Sequence, residues 1–323
     1  MNALGNGTTR NSSSPVAVAG GLTFGVVSTG GWHTCAVTTK GAAYCWGDSR
    51  MGEGGTRSAS PSVVPVAVRG GLVFATVSSG ATSYSCGLTT SGTAWCWGDN
   101  GNGQLGNGTA TASAVPVAVA GGLTFTQIST GASHTCAVTT RGVAYCWGNN
   151  GYGRLGTGTT IGSRTPVIVS GGLAFSQVSA GNTHSCGRTT RGLAWCWGYG
   201  GAGALGNGIL GSMPSPVAVG GGLAFASVSA GAGHTCGLAM NGAAWCWGDN
   251  GAGQLGDGTR TRSAQPAQVA GGLTFAELTA GASHSCGRTT TGALYCWGDN
   301  DWGELGDGTT TTRLAPVRVK SLP

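Results

Sequence analysis

All twelve cysteines of this chain fall into six Cys-x9-Cys pairs: Cys35/Cys45, Cys86/Cys96, Cys136/Cys146, Cys186/Cys196, Cys236/Cys246 and Cys286/Cys296. Such pairs admit three chemistries. A metal centre favours Cys-x-x-Cys spacing, which is absent, and here each pair flanks a turn. A reduced, buried cysteine serves as a small hydrophobe. A disulfide requires the fold to bring two Cα atoms within about 7 Å of each other.

Five histidines stand two residues before the first cysteine of a pair: His33, His134, His184, His234 and His284, with Tyr84 in the sixth place. A ring of imidazoles suggests a metal. Yet equivalent positions on neighbouring packed sheets lie roughly 10 Å apart, too far for one ion with ligands at about 2.0–2.1 Å. The expectation is a repeated histidine bonded to neighbouring backbone, with no metal and no cofactor. Catalysis has little to draw on. The chain holds ten carboxylates. Asp48, Asp99, Asp249, Asp257 and Asp299 sit in recurring turns, Glu53 and Glu277 stand apart, and only Asp301, Glu304 and Asp307 cluster. No Ser/His/Asp set or paired-carboxylate arrangement stands out, so no enzyme is expected. The Asn107-Gly108-Thr109, Asp257-Gly258-Thr259 and Asp307-Gly308-Thr309 turns have too few carboxylates for calcium and read as Asx turns. No glycine run continues into the Gly-Lys-Ser/Thr of a phosphate loop.

The elements that must position these residues repeat every 50 to 51 residues. Thr34–Thr38 and Ala42–Trp46 are two short β-prone runs around Thr39-Lys40-Gly41. A three-residue loop ending in glycine is a hairpin turn whose last residue is left-handed, a place where glycine meets no Cβ clash. Gly92, Gly142, Gly192, Gly242 and Gly292 hold the same place. The register then pairs Thr38 with Ala42, Val37 with Ala43, Ala36 with Tyr44 and Cys35 with Cys45. The cysteines fall on a non-hydrogen-bonded pair, with Cα atoms roughly 4.5 Å apart. This geometry favours six hairpin disulfides. Two further segments complete each copy, one like Leu22-Thr23-Phe24-x-x-Val27-Ser28 and one like Pro15-Val16-Ala17-Val18, the proline starting an edge strand. Six hairpins result, at 33–47, 84–98, 134–148, 184–198, 234–248 and 284–298. Four strands per copy predict an all-β chain, a β-propeller of four-stranded blades forming a single domain over 1–323.

Of 323 residues only 8% are charged and 65 are glycine, which suits strands and tight turns. The net charge is +6, carried by scattered arginines with no basic run, so no nucleic-acid partner is expected. No stretch of 18 apolar residues is present, so no membrane span is expected. Ala3–Thr8 matches the middle of a repeat (Gln104–Thr109), so the start reads as cut from a longer precursor.

The order Gly-x-x-His-Thr/Ser, hairpin, Trp-Gly-x-Asn-x-x-Gly-Gln-Leu-Gly-x-Gly-Thr, then Pro-x-x-Val, resembles the repeat of the regulator of chromosome condensation family. It is clearest at Trp147–Gly156 and Trp247–Gly256, and it covers essentially the whole chain, which looks like a secreted, cysteine-paired variant of bacterial type. The resemblance implies a propeller of four-stranded blades. It does not imply the founder's exchange activity, because one fold hosts many functions. Two departures stand out. The family commonly has seven blades, and six hairpins are present here, so seven blades would require that the chain be a fragment. There are also seven Pro-Val segments for six blades, so Pro15–Val18 and Pro316–Val319 compete for the last outer strand, and the spare one could recruit a second subunit.

Repeat-wide tryptophans (Trp46, Trp97, Trp147, Trp197, Trp247, Trp297) read as core, with each indole N–H bonded locally. Residues that break the repeat are the binding candidates: Trp32, Arg50, Tyr152, Arg154, Tyr199, Asp301 and Trp302, most in the loop after Trp-Gly. Arg188 and Arg288, at valine-like positions, either reach outward or pair between blades. The leading expectation is a non-catalytic, secreted or cell-surface scaffold that presents a loop rim to a protein or surface glycan, since disulfides belong to oxidising compartments. The alternatives are an extracellular protein that self-assembles by strand exchange, and an intracellular nucleotide-exchange or chromatin-binding propeller.

Overall fold

In a computed structural model of the chain, residues 3–321 are described. Among the described residues, 24 strands lie in six four-stranded antiparallel sheets, each ordered as the chain runs. Blade 1 consists of Phe24–Thr29, His33–Thr38, Ala43–Gly47 and Ser62–Ala67. Blades 2 to 6 span 74–118, 125–168, 175–218, 225–268 and 275–318. The residues form two compact units. The first takes the chain up to Arg10, Val16–Gly151 and Thr160–Val169; the second takes Asn11–Pro15, Tyr152–Thr159 and the chain from Ser170. Blades 1–3 fall in the first and blades 4–6 in the second.

The hairpin register is as the turn chemistry predicts. Thr38 N–H donates to the Ala42 carbonyl at 2.9 Å, Gly41 has φ 83°, and Val37, Ala36 and Cys35 face Ala43, Tyr44 and Cys45. All six cysteine pairs are disulfide-bonded: Cys35 to Cys45, Cys86 to Cys96, Cys136 to Cys146, Cys186 to Cys196, Cys236 to Cys246 and Cys286 to Cys296. Their Cα–Cα distances are 4.0–4.1 Å. Hence neither the reduced-core nor the metal reading applies.

The outer strand differs from expectation at its proline. Pro65 is fourth in Ser62–Ala67 rather than first. The pairing with the third strand slips between Cys45 and Gly47, so the missing proline N–H falls in a bulged stretch where no ladder bond is lost. The rivalry between terminal segments is resolved in the same region. Arg313–Arg318 pairs with Leu294–Gly298 as the outer strand of blade 6. Pro15–Val18 belongs to no strand.

Within each unit the cores lie between consecutive blades. Between blades 4 and 5 the core holds Cys186, Ala194, Cys196 and Leu205 from one side and Phe225, Val228 and Trp247 from the other. Between blades 1 and 2 it holds Cys35, Val37, Ala43 and Cys45 against Phe74, Val77 and Trp97. At these interfaces the disulfide of one blade faces the tryptophan of the next, and one blade alone leaves half a core uncovered.

Candidate functional site

The buried polar side chains form clips between blades. His184 Nε2 lies 2.8 Å from Thr235 Oγ1, which donates to the Ala204 carbonyl at 2.9 Å; Trp247 Nε1 donates to the same carbonyl at 2.9 Å. His234, Ser285, Gln254 and Trp297 repeat this one blade on, with Nε2···Oγ 2.9 Å. In the first unit His33 meets Ser85 at 2.8 Å. The partner of the histidine is therefore a hydroxyl on the next blade, not backbone, and the indole donates to the preceding blade rather than within its own. At the sixth place, Tyr84 Oη donates to the His134 carbonyl at 2.5 Å. Gly181 makes the close approach possible: a Cβ there would run into the Gly231 carbonyl oxygen and stand 3.0 Å from His184 Cε1.

A serine 2.8 Å from an imidazole has the spacing of a nucleophile and its base. The hydrogen bonds exclude that role. Each hydroxyl gives its proton to a backbone carbonyl, so Nε2 carries the N–H and donates to the hydroxyl oxygen. His33, Ser85, His184 and Ser285 are all 0% exposed. Burial holds His33 and His184 down at about 4 and His234 at about 3. These imidazoles are neutral clips, closed to substrate.

The buried cysteines are likewise closed to any ligand. Cys96, Cys146 and Cys246, the third-strand members of three bridges, are 0% exposed and lie in the blade interiors, away from the loop rim. Each is consumed by its bond to Cys86, Cys136 or Cys236. Their part is structural, and they do not belong to a binding site: an alternating strand that turns its cysteine into the core cannot also present it to solvent.

The carboxylate cluster is dispersed by its own contacts. Burial works against the Asp307 charge, but bonds from Thr309 and Arg313, the latter at 2.7 Å, outweigh it and set the carboxyl at about 2. Glu304 accepts the Trp302 N–H, and Asp301 is exposed. Thr109 and Thr259 N–H groups bond Asn107 and Asp257 Oδ1 at 3.1 and 2.9 Å, as Asx turns require.

Of the seven residues that break the repeat, three come together. The rings of Tyr152 and Tyr199 stand 4.9 Å apart at 54°, and the Arg154 guanidinium lies 5.6 Å from the Tyr152 centroid. Both tyrosines are partly exposed, at 46% and 38%, whereas Arg154 is 6% exposed and donates to the Asn182 carbonyl at 2.9 Å. Aromatic faces over a fixed cation make a surface that can pack on a flat ligand. Asp301 and Trp302 sit in the corresponding loop of blade 6, with Trp302 63% exposed. Trp32 and Arg50 lie at one end of blade 1, where the Asp48 N–H meets the Trp32 carbonyl at 2.9 Å and Arg50 pairs with Asp48 at 2.7 Å.

Arg188 pairs between blades, its Nε donating to the Phe225 carbonyl, whereas Arg288 pairs within its own blade with Glu277 at 2.6 Å. The sequence reading missed Gln177, whose amide brackets Val228 on the next blade. Its signal was its type, an amide shared with Gln127 at a place where other copies carry Val, Thr, Ser or Glu.

A sequence profile of the RCC1-like domain matches residues 73–323, and one of the regulator of chromosome condensation repeat matches residues 27–53. The chain belongs to the RCC1-like domain family. A mitochondrial RCC1 domain-containing protein of Arabidopsis thaliana, RUG3, is 34% identical over 125 residues. That match takes in 32% of this chain and 26% of the relative, so the chain covers about a quarter of that relative's length. The solved structure of human WBSCR16 is similar over 96% of this chain and 84% of its own, with a TM-score of 0.87 at 20% identity. That of Prp20p from Saccharomyces cerevisiae, described with its binding to Gsp1p and histones, is similar over 91% and 76%, with a TM-score of 0.80 at 20% identity. These likenesses show the RCC1-type propeller fold. The RCC1-like chain departs from a bare scaffold in its six disulfides and in the tyrosine–arginine patch.

Proposed function

We propose that this RCC1-like chain is a non-catalytic binding propeller of an oxidising compartment, secreted or held at the cell surface, and that it holds a protein or surface glycan. The observation that carries this reading is the Tyr152–Arg154–Tyr199 cluster. It sits in loops rather than core, at places where no other copy carries tyrosine or arginine. Its cation is fixed by burial rather than left mobile. Trp302 and Asp301 on blade 6, and Trp32 and Arg50 on blade 1, are further contact residues. The compartment is supported by the disulfides, since twelve paired cysteines are out of place in a reducing cytosol.

The test is binding to a panel of immobilised glycans and purified extracellular proteins, comparing the native chain with the Tyr152→Ala/Tyr199→Ala double variant. A ligand lost by about tenfold or more in the variant, at an unchanged melting temperature, supports the reading. Ligands bound equally by both, and equally by Trp302→Ala, overturn it.

A second reading is nucleotide exchange on a small GTPase, favoured by the likeness to Prp20p, whose structure was described with Gsp1p binding. Release of a fluorescent GDP analogue from Gsp1p measures it directly. Acceleration by the chain kept in reductant would place the exchange reading first.

A further inference from the structure

In the second unit, blade 5 grips blade 6 as blade 4 grips blade 5, and blade 6 carries the same gripping groups on its far side without their counterparts. His184 and His234 each donate to a hydroxyl on the following blade; His284 Nε2 has no hydrogen-bond partner among the described residues. The Ala204 and Gln254 carbonyls each receive an indole N–H and a hydroxyl, whereas the equivalent Glu304 carbonyl receives neither among the described residues. Ser179 and Ser229 accept the Ala230 and Ala280 N–H groups, both at 2.9 Å; Thr279, in the same place, bonds its own blade. The Asn182 and Ala232 N–H groups donate to Gly231 and Gly281, while that of Ala282 has no acceptor among the described residues.

The apolar surface is open on the same side. Ala194 and Ala244 are 3% exposed beneath the following blade, while Leu294, larger and at the same place, is 49% exposed. One part of the next position is filled. Gly158, Gly208 and Gly258 donate to Pro214, Ala264 and Leu314, each at the start of a following outer strand, and Gly308 donates likewise to Ser13 at 2.7 Å. Asn11–Pro15 thus occupies the place where an outer strand begins, and the place of the three inner strands on blade 6 stays open.

We propose that this face of blade 6 is a docking site for a three-stranded β-unit with the repeat's own chemistry. Its second strand would begin x-Ser/Thr-Cys, as His234-Thr235-Cys236 does, so that the hydroxyl accepts from His284. Its third strand would carry Tyr/Trp-Cys-Trp, with the indole donating to the Glu304 carbonyl. Its first strand would bring a phenylalanine onto Leu294 and the Cys286–Cys296 disulfide. The interface continues the two blade–blade interfaces already present in this unit, which is why a unit of this kind is the occupant. The Glu277–Arg288 pair is compatible with it. Gln177 and Arg188, at the same two places in blade 4, both turn onto the following backbone. A terminal blade finished by that ion pair is the competing account.

Two experiments decide between them. The first titrates the full chain by calorimetry with a disulfide-closed peptide carrying residues 223–249 of this sequence. The expected result is saturable 1:1 binding, weakened about tenfold or more by Leu294→Lys in the protein and by phenylalanine at the peptide's Trp247 position. Binding that ignores both changes overturns the site. The second appends the same 27 residues to the C-terminus of the full chain, which removes the need for the free peptide to fold. The expected result is a higher melting temperature than the native chain, abolished by Leu294→Lys. No binding together with no rise in melting temperature overturns the proposal and leaves blade 6 as a finished end. Dimerisation of the native chain in light scattering, lost in Leu294→Lys, would make a second copy the occupant and overturn it as well.

Discussion

His234 Nε2 lies 2.9 Å from the Oγ of Ser285, fifty-one residues further along the chain. That bond crosses from one blade to the next and needs a proton on Nε2, while burial keeps Nδ1 from taking up a second one. Burial lowers His33 and His184 to about 4 and His234 to about 3, from 6.5. A folded-state value below the unfolded one means that the unfolded chain binds more protons. The stability these residues contribute is therefore complete above about pH 6.5 and is lost as pH falls towards 4 and then 3. The melting temperature should fall steeply in that window. Each histidine titrating only on unfolding adds about 1.4 kcal/mol per pH unit to the slope. In His234→Asn the slope between pH 6 and 4 should be shallower by one histidine's share, read from thermal melts in matched buffers. An unchanged slope would mean the imidazole is not held neutral.

Five of the six disulfides have both cysteines buried, and Cys286–Cys296 is the exception, with Cys286 partly exposed. Under limiting phosphine reductant in native buffer, Cys286 and Cys296 should be the first to take up an alkylating label, as shown by peptide mapping. Cys96, Cys146 and Cys246 should be among the last, since none has any exposed surface. Removing an inner pair by Cys236→Ala/Cys246→Ala should cost about 2–3 kcal/mol, because the closed loop is short. The midpoint of guanidinium unfolding reads it.

Glu53 occupies a place held by Gln104 and Gln254 in blades 2 and 5. Those glutamines accept a loop N–H at 2.9 Å and donate to Asp99 and Asp249 at 2.7 and 2.9 Å. Glu53 accepts the Met51 N–H, but it is 0% exposed and has no proton to give to Asp48. Burial raises its carboxyl above the ordinary glutamate value, with the Asp48 charge adding to the rise. A raised folded-state value means that stability is full below the unfolded value and is lost as pH rises through the folded one. Glu53→Gln should stabilise the chain by about 1 kcal/mol at pH 8. The gain should vanish at pH 4, where the glutamate is already neutral.

Two glycines with nearly the same backbone angle should respond differently to alanine. Gly206 (φ 67°) would place a Cβ 2.7 Å from Trp247 Nε1, while Gly222 (φ 64°) meets nothing within 4 Å. Gly222→Ala should cost only the left-handed backbone penalty, about 1–2 kcal/mol. Gly206→Ala should add about 1–3 kcal/mol of overpacking and loosen the indole bond to Ala204. Chemical denaturation measures both, and the Trp247 fluorescence maximum should move in the Gly206 variant alone.

The architecture could be read from the residues because its information is local and repeated. The glycine at a fixed offset set the turn, the turn set the register, and the register placed Cys35 opposite Cys45. What the residues hid was cross-blade partnership. Whether His184 would meet backbone or a hydroxyl depends on which atom of the next blade comes within 3 Å, and spacing within one copy carries no trace of that. For the same reason the sequence alone could not choose between two courses for Arg188, nor see that Ala3 supplies the carbonyl for Trp46 (2.8 Å) that Glu53 supplies for Trp97. Of the rim-breaking aromatics, Tyr152 and Tyr199 meet because their loops are near neighbours. Trp302 and Trp32 stay on their own blades.

The short span of each disulfide bears on how the protein is made. Every bridge joins residues ten apart on the two arms of one hairpin. Once the turn closes, the two thiols face each other at an effective concentration far above that of any thiol on another copy. In an oxidising space, each cysteine of a nascent chain would therefore find its correct partner within its own hairpin. The crowd of twelve interchangeable cysteines becomes six private choices, which lessens the demand for isomerase-driven reshuffling. An array of this kind tolerates the gain or loss of a whole copy without scrambling the bridges of the rest.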